Sequence, residues 1–363
     1  MHLEERVRER TAELASLNRM YERFVPREFI DLLEKKSILE IHLGDQVSHK
    51  MSVMFADIRG WTTLLEKMTP QQAFNFINAY LRRVSPVIKE CNGFIDQYYG
   101  DGVMALFPGP PDDAVKAAVS LQAAVAEYNR ERAQNGYDPI GIGVGLHLAD
   151  LMLGIIGSED RMQGAVVADA VNLAARIEGL NKMYGSYVSL SDETFFSMKE
   201  PNRYRHRFID KVRVKGREDP VTVYEVFEGD PESIAGLKEQ TKPSFENGLQ
   251  LYYGKKFSEA SVHFNQVLEN SVEKRNVAAG QHLEKVIGDA RSKQGAFGHG
   301  RHPVALHAGL EIPPVHPVDV SRSRVLLVGE VPPRDEKVLH GARGPLREIE
   351  PQPHGEDQEG QNY

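Results

Sequence analysis

The stretch Phe94-Ile-Asp-Gln-Tyr-Tyr-Gly-Asp-Gly-Val-Met-Ala-Leu-Phe107 decides the fold. It contains two short apolar segments, residues 94–99 and 103–107, on either side of Gly100-Asp101-Gly102. Glycines next to an aspartate between two such segments indicate a tight turn that joins antiparallel strands. The sequence therefore predicts a β-hairpin whose turn presents the side chain of Asp101.

Elements on both sides of this hairpin predict an α/β domain over residues 47–229. The predicted elements are a strand at Met51–Ala56, a helix from Thr69-Pro70 to Gly93, the hairpin, a helix from Pro111 to about Ala133, a strand at Ile140–Leu153, a helix at Asp169–Tyr184, and strands near Val212–Lys215 and Val221–Phe227. In the first helix the apolar residues at helical spacing are Phe74, Ile77, Leu81, Val84 and Ile88. The order strand, helix, hairpin, helix, strand is typical of the split βαβ, ferredoxin-like arrangement.

The segments outside this domain differ from it in composition. In the linker segment 1–46, apolar residues from Leu3 to Phe24 recur at alternating spacings of four and three, which predicts a coiled-coil helix. A helix docked on its own domain is the alternative. Pro26 ends this helix, and a short helix follows at Arg27–Lys36.

Two further segments follow the α/β domain. Residues 244–291 resemble one tetratricopeptide helix pair, which must pack on the α/β domain or on a partner because one repeat cannot bury its own face. The tail at 293–363 is rich in proline, glycine and histidine, and we expect it to be disordered.

Charge and cysteine content exclude several classes of protein. The net charge is −8, from 44 Lys and Arg against 52 Asp and Glu, which argues against a dedicated nucleic-acid-binding chain. The single cysteine, Cys91, excludes an intrachain disulfide and fits a reducing compartment. No apolar run has the ~20 residues needed to span a bilayer. We therefore expect a soluble cytoplasmic protein.

Two aspartates are candidates for holding a metal ion. Asp57 follows the first predicted strand and Asp101 lies in the hairpin turn, so both carboxylates are expected at the same edge of a split βαβ sheet. Carboxylates that lie close together repel unless a cation lies between them, and oxygen ligands suit Mg2+ or Mn2+. The alternative is that each aspartate only satisfies a turn.

A second polar pair lies on the third predicted helix. Asn172 and Arg176 are four residues apart and therefore share one face of that helix. An amide beside a guanidinium can hold sugar and phosphoryl oxygens and neutralise charge that develops in a transition state. The alternative is an ordinary solvated face.

Four ordered motifs resemble the class III adenylate/guanylate cyclase catalytic domain. They are Phe55-Ala-Asp-Ile-Arg-Gly-Trp-Thr62, Gly100-Asp-Gly-Val-Met-Ala-Leu-Phe107, Val166-Val-Ala-Asp-Ala-Val-Asn-Leu-Ala-Ala-Arg176 and Val214-Lys-Gly216. The resemblance extends over about residues 47–229. The chain is similar in particular to bacterial cyclases that carry a segment like Arg23–Phe29 before the catalytic domain and a sensor module further upstream. This chain starts with what resembles their linker, and we expect no sensor domain in it.

The resemblance implies a role for each matching residue. Asp57, Asp101 and the carbonyl of Ile58 would bind two Mg2+ or Mn2+ ions per site. Asn172 and Arg176 would orient the ribose and stabilise the transition state. The predicted substrate contacts are Lys215 at the triphosphate, Gly60, Trp61 and Thr62 in the first motif, and Gln97 and Ala165 at the base. The family works as a head-to-tail dimer that joins metals from one chain to the Asn/Arg pair of the other, so we expect a homodimer arranged by the coiled coil.

The base-recognition positions depart from the family pattern. Adenylate cyclases usually carry lysine and then aspartate or threonine there, whereas guanylate cyclases tend to carry glutamate and cysteine; this chain has Gln97 and Ala165. Gln97 can both donate and accept hydrogen bonds, as an adenine edge requires. We expect adenylate cyclase activity on ATP with weakened selectivity, GTP being the other candidate substrate. The alternatives are a degenerate cyclase-like domain that binds nucleotide and regulates a partner, and a scaffold built from the coiled coil and the helix pair.

Overall fold

The computed structural model describes residues 2–21, 24–213, 219–270 and 277–295. Lys215 lies outside this described part, as does nearly all of the tail that is predicted to be disordered. Among the described residues, no helix combines the length and the apolar character needed to cross a membrane.

In the described part of the chain, eight strands form one mixed sheet with helices on both faces. The strands are β1 (Gln46–Ile58), β2 (Phe94–Tyr99), β3 (Gly102–Phe107), β4 (Ile142–Ser158), β5 (Arg161–Val167), β6 (Val188–Ser191), β7 (His206–Val212) and β8 (Val221–Val226). The helices before β6 are α1 (His2–Tyr21), α2 (Arg27–Leu32), α3 (Trp61–Leu65), α4 (Pro70–Glu90), α5 (Pro111–Gln134) and α6 (Asp169–Tyr184). Those after β6 are α7 (Asp192–Ser197), α8 (Glu232–Tyr253), α9 (Phe257–Glu269) and α10 (Val277–Gly295).

The strand order confirms the ferredoxin-like arrangement. The sheet runs β2-β3-β1-β4-β6-β8-β7, and β5 pairs with β4 at the side of this path. The first four strands are antiparallel neighbours in the order that a split βαβ unit requires. β4 and β6 pair in parallel, which adds the three-stranded extension β6-β8-β7 to that unit.

One face of the sheet is covered by α4 and α5. The α4 helix begins as predicted at Thr69, whose hydroxyl accepts from the Gln72 N–H at 3.3 Å while the Gln72 amide oxygen accepts from the Thr69 N–H at 2.8 Å. The sequence places Phe74 on the apolar stripe, but its side chain is 69% exposed, and Phe76 lies in the core instead. Phe76 stacks on Trp61 with ring centroids 5.7 Å apart, which accounts for the rotation of the buried stripe away from Phe74.

The other face is covered by α2 and the first turns of α6. Phe29 of α2 is buried against the apolar side chains of β1, β2 and β4. α6 packs closely on β4 at Gly145, where an added Cβ would lie 2.5 Å from the Ala174 carbonyl oxygen. This close approach fixes the position of α6 over the sheet.

Several predicted boundaries are wrong. β1 begins at Gln46 rather than Met51, and β4 continues to Ser158 because it forms a long hairpin with β5 that the sequence pattern did not indicate. The strand predicted near Val212 lies earlier, at His206–Val212, and the short elements β6 and α7 were not predicted. The helix predicted over Arg27–Lys36 ends at Leu32.

The predicted coiled-coil segment forms the single helix α1. Its seam residues Leu14 and Leu17 are 67% and 43% exposed, so this helix does not bury its apolar seam on its own domain. The structure therefore disfavours the docked-helix alternative, and the coiled coil stays a prediction.

The C-terminal segment contains three described helices rather than the predicted pair. α8, α9 and α10 share one apolar cluster with Tyr184 of α6, Ile209 of β7 and Val223 of β8. Of the two predicted docking surfaces, the helices therefore use the α/β domain.

Candidate active site

Asp57 and Asp101 converge at the end of β1. The Ile58 N–H donates to Asp57 Oδ1 at 3.1 Å and to Asp101 Oδ2 at 3.1 Å. Since one donor binds both carboxylates, the two acids lie beside each other at one edge of the sheet. The structure thus brings together two of the sequence-predicted site residues that are far apart along the chain.

Two glycines allow the hairpin turn to approach Asp57. Gly100 has a φ of +66°, in the left-handed region that L side chains rarely adopt. An added Cβ at Gly102 would lie 3.2 Å from the Tyr99 carbonyl oxygen and 3.4 Å from Asp57 Oδ1. The Gly-Asp-Gly sequence is therefore what lets the turn carry Asp101 to Asp57.

The acid pair is electrostatically unsatisfied. Asp101 is only 6% exposed. The pKa of Asp101 is raised to about 8. Burial is the largest cause, and the hydrogen bond with Asp57 and the charge of Asp57 add to it. Two carboxyl groups this close hold either a shared proton or a cation between them.

The residues around the pair fit a hydrated divalent cation. The Tyr80 side chain is 1% exposed and its hydroxyl has no hydrogen-bond partner. Burial and then the charges of Asp57 and Asp101 raise the pKa of Tyr80, so this unpartnered donor lies near the two acids. Within the described ranges, no three His, Cys, Asp or Glu side chains gather into a metal site. The Ile58 carbonyl stays the predicted further ligand.

Asn172 and Arg176 lie on the side of α6 that faces away from the sheet. Ala174 and Glu178 form the side that contacts Gly145. Asn172 and Arg176 are each two positions from Ala174, which corresponds to about 200° around the helix axis. Both side chains are half-buried. The pair is therefore directed away from the sheet that carries Asp57 and Asp101 of the same chain.

Glu178 is a site residue that the sequence analysis missed. Its carboxylate lies over Gly143, the residue that pairs with Asp57 in the β1–β4 ladder, and leaves no room there for a Cβ. Burial, and then the charge of Asp57, raise the pKa of Glu178 to about 7 against the opposing effect of Arg59. A third acid thus lies behind the metal-binding candidates.

The predicted base contacts lie on two strands that do not pair. Gln97 follows a bulge in β2 and pairs with Met104, whereas Ala165 is buried in β5 and pairs with Gly154. The bulge leaves Asp96 without a ladder partner, and one of its carboxylate oxygens is buried without a hydrogen bond. Burial raises the pKa of Asp96 to about 6. The sequence analysis did not single out this acid.

Three of the predicted substrate contacts, Gly60, Trp61 and Thr62, follow Asp57 closely along the chain. Gly60, with a φ of +68°, precedes α3, and Thr62 is exposed in its first turn. Trp61 packs inward on Phe76, so its ring supports α4. Lys215 lies outside the described residues.

Comparison with known proteins agrees with these motifs. The adenylate and guanylate cyclase catalytic domain model matches residues 44–227. An adenylate cyclase from Anabaena cylindrica is 39% identical over 212 residues, which are 57% of this chain and 42% of that protein. The terminal-differentiation-specific adenylate cyclase of Dictyostelium discoideum is 32% identical over 259 residues, 70% of this chain and 12% of that protein. The chain thus spans less than half the length of these relatives.

Solved structures support the fold. A bacterial light-regulated adenylyl cyclase superposes with a TM-score of 0.54 and 22% identity, over 64% of this chain and 69% of that chain. The family model covers half of the chain. On this match, the chain belongs to the family of the adenylate and guanylate cyclase catalytic domain.

Proposed function

We propose that the chain is an adenylate cyclase, which converts ATP to 3′,5′-cyclic AMP and pyrophosphate in signal transduction. The observation that carries the proposal is the convergence of Asp57 and Asp101 on the Ile58 N–H. An unsatisfied acid pair of this kind suits divalent cations that also bind a triphosphate. ATP and a single cysteine both fit the cytoplasm, so we propose that the protein acts there.

The chemistry is an internal displacement at phosphorus. The ribose 3′-hydroxyl loses its proton to solvent as its oxygen forms a bond to the α-phosphorus, the bond from that phosphorus to the bridging oxygen breaks, and pyrophosphate leaves. Two bound Mg2+ or Mn2+ ions would lower the pKa of the 3′-hydroxyl and neutralise negative charge on the leaving pyrophosphate. Asp57, Asp101 and the Ile58 carbonyl would hold these ions, while Arg176 would stabilise charge on the transferring phosphoryl group and Asn172 would orient the ribose.

The active site is proposed to form between two chains. Asn172 and Arg176 face away from the sheet that carries their own aspartates, which supports pairing with the acid pair of a second chain. The exposed seam of α1 offers a way to hold the two chains together and to receive a signal from a sensor protein. A monomer is then inactive.

ATP is proposed as the preferred substrate. The relatives from Anabaena and Dictyostelium are adenylate cyclases. Gln97 suits adenine, while Ala165 offers no acceptor to its amine, so we expect selectivity over GTP to be weak.

The test is an assay of the purified chain with Mn2+ and either ATP or GTP, in which the cyclic products are resolved. We expect cyclic AMP from the wild type, and a loss of at least ~100-fold in Asp57→Ala and Asp101→Ala. Glu239→Ala, which removes an exposed acid on α8, is the control and should stay active. Nucleotide binding without turnover would instead support the regulatory alternative, and cyclic GMP as the main product would support a guanylate cyclase.

Chain sharing is tested by mixing two inactive variants. Asp57→Ala retains the Asn/Arg pair and Arg176→Ala retains the acid pair. The mixture should regain activity through one intact composite site. A mixture that stays inactive would contradict a shared site.

A further inference from the structure

Asp210 of β7 joins the C-terminal helices to α6. Its carboxylate accepts hydrogen bonds from the hydroxyls of Tyr184 at the end of α6 and Tyr253 at the end of α8, the latter at 2.5 Å. Lys285 of α10 forms an ion pair with the same carboxylate. Burial alone would raise the pKa of Asp210, but His282, Lys285 and the donated hydrogen bonds lower it below its ordinary value. One ionised side chain therefore holds three helices.

The α10 helix reinforces this junction through His282. β7 shifts register between Phe208 and Asp210, which leaves Ile209 without a ladder partner. His282 Nε2 lies 2.7 Å from the Ile209 carbonyl oxygen, and the imidazole stacks on the Tyr184 ring with centroids 5.8 Å apart. The C-terminal helices thus contact Tyr184 at its ring and at its hydroxyl, which accepts from Lys285 Nζ at 3.2 Å and donates to Asp210.

Besides its close contact with Gly145, α6 is held at its C-terminal end. Its N-cap residue, Ala168, forms no side-chain cap hydrogen bond. At the other end, Gly185 closes the helix in the left-handed conformation and Tyr184 bonds to Asp210. Arg176 lies eight residues before Tyr184, about 12 Å along a rigid helix. A rotation released at Tyr184 is therefore transmitted to Arg176 and Asn172.

We propose that Tyr184 is a positioning residue for Asn172 and Arg176, and that the helices α8–α10 act on catalysis through its bond to Asp210. The inference rests on the proposed cyclase function and assigns to the C-terminal helices a role within it. These helices support the half of the composite site that carries the Asn/Arg pair, whereas Asp57 lies on β1 and Asp101 in the turn between β2 and β3.

A matched pair of variants isolates this role. Tyr184→Phe and Tyr253→Phe each remove one hydroxyl that donates to Asp210 and keep the ring, so their free energies of unfolding should fall by similar amounts. Only Tyr184 belongs to α6. We expect Tyr184→Phe to lower kcat for ATP about tenfold with little change in KM, because small misplacements of catalytic groups are costly. Tyr253→Phe should stay within about twofold of wild type. Equal kcat losses in both variants would overturn the proposal.

Mixed dimers separate positioning from general stability. In the active mixture of Asp57→Ala and Arg176→Ala chains, the Asp57→Ala chain supplies Asn172 and Arg176. Adding Tyr184→Phe to that chain should lower the rate about tenfold, whereas adding it to the other chain should not. The same loss from either chain would overturn the positioning role. An inactive mixture before Tyr184 is changed would overturn the shared site, and this inference with it.

Discussion

The carboxyl group of Asp96, one oxygen of which is buried without a hydrogen bond, should make the stability of the chain depend on pH. Its pKa rises from about 3.9 in an unfolded chain to about 6 in the fold. Between these values the folded chain holds more protons than the unfolded chain, so the free energy of unfolding falls as pH rises from about 4 to 6. Well above pH 6 the carboxyl group of Asp96 is ionised in both the folded and the unfolded chain, so the loss in the free energy of unfolding has reached its full value.

Asp96→Asn removes this loss. We expect the variant to raise the free energy of unfolding by about 1–2 kcal/mol at pH 7.5, with little difference from wild type at pH 4. Urea unfolding at both pH values measures the effect, and Asp138→Asn, at an exposed acid, is the control. A difference from wild type that is the same at both pH values would show that the carboxyl group does not titrate in this way.

The base preference should follow the side chain at position 97. In Gln97→Glu, a carboxylate accepts from the donor edge of guanine and repels the lone pair of adenine N1. We expect the ratio of kcat/KM for GTP to that for ATP to rise about tenfold or more, since a good base contact contributes ~1–3 kcal/mol. Product analysis with both nucleotides measures this ratio, and Gln71→Glu on the exposed side of α4 is the control. An unchanged ratio would remove Gln97 from the base site.

At the scale of elements, α6 packs on β4 over two glycines that should differ in how well they tolerate an added methyl group. Gly145→Ala places a methyl group 2.5 Å from the Ala174 carbonyl oxygen, which only a movement of the helix can relieve. We expect a loss of about 3 kcal/mol in the free energy of unfolding. Gly143→Ala meets the end of the Glu178 side chain, which can move, so its loss should be smaller.

Two further variants test this explanation by denaturant unfolding. Glu178→Ala should reduce the cost of Gly143→Ala and leave that of Gly145→Ala unchanged, because only the first contact involves the Glu178 carboxylate. Gly179→Ala has open space around it and should stabilise α6 by up to ~1 kcal/mol. If the two β4 variants lose equal stability, the backbone contact is not the limiting one.

Helices were predicted well where the sequence contains residues that mark their ends. α6 was predicted with its observed bounds, and the start of α4 was predicted because Thr69 can cap a helix and Pro70 fits its first turn. Phe74 was misassigned because Phe76, two residues later, also matches the helical period and has Trp61 to stack on. The β4–β5 hairpin was missed because its pairing depends on register between strands, which a single apolar run does not specify.

The site was predictable only in part for a related reason. Asp57 and Asp101 lie in short motifs, and the strand order then brings them together. Glu178 and Tyr80 lie near those acids only because helices pack over the sheet, so periodicity gives no indication of their role. Gln97 lies on β2 and Ala165 on β5, and these strands do not pair within one chain. The sequence alone therefore does not specify that the two residues line one base pocket.

For the whole molecule, activity should depend on the association of two chains through α1. Leu14 and Leu17 are exposed in the isolated chain, and burying both in a coiled coil would contribute ~1.5–3 kcal/mol for each side chain. Leu14→Arg removes one such contribution from each chain. We therefore expect the dissociation constant of the dimer to rise by a factor of about a hundred or more, because the two chains together lose ~3 kcal/mol or more and 1.4 kcal/mol corresponds to a factor of ten.

Concentration then distinguishes a dimerisation defect from damage to the site. In Leu14→Arg the specific activity should fall at low protein concentration and recover as the concentration rises, in step with the dimer fraction from sedimentation. Ser16→Arg adds the same charge outside the apolar seam and should match the wild type in both measurements. A Leu14→Arg chain that is monomeric and fully active would show that one chain completes its own site, whereas a dimeric and active one would show that α1 is not the contact that holds the two chains together.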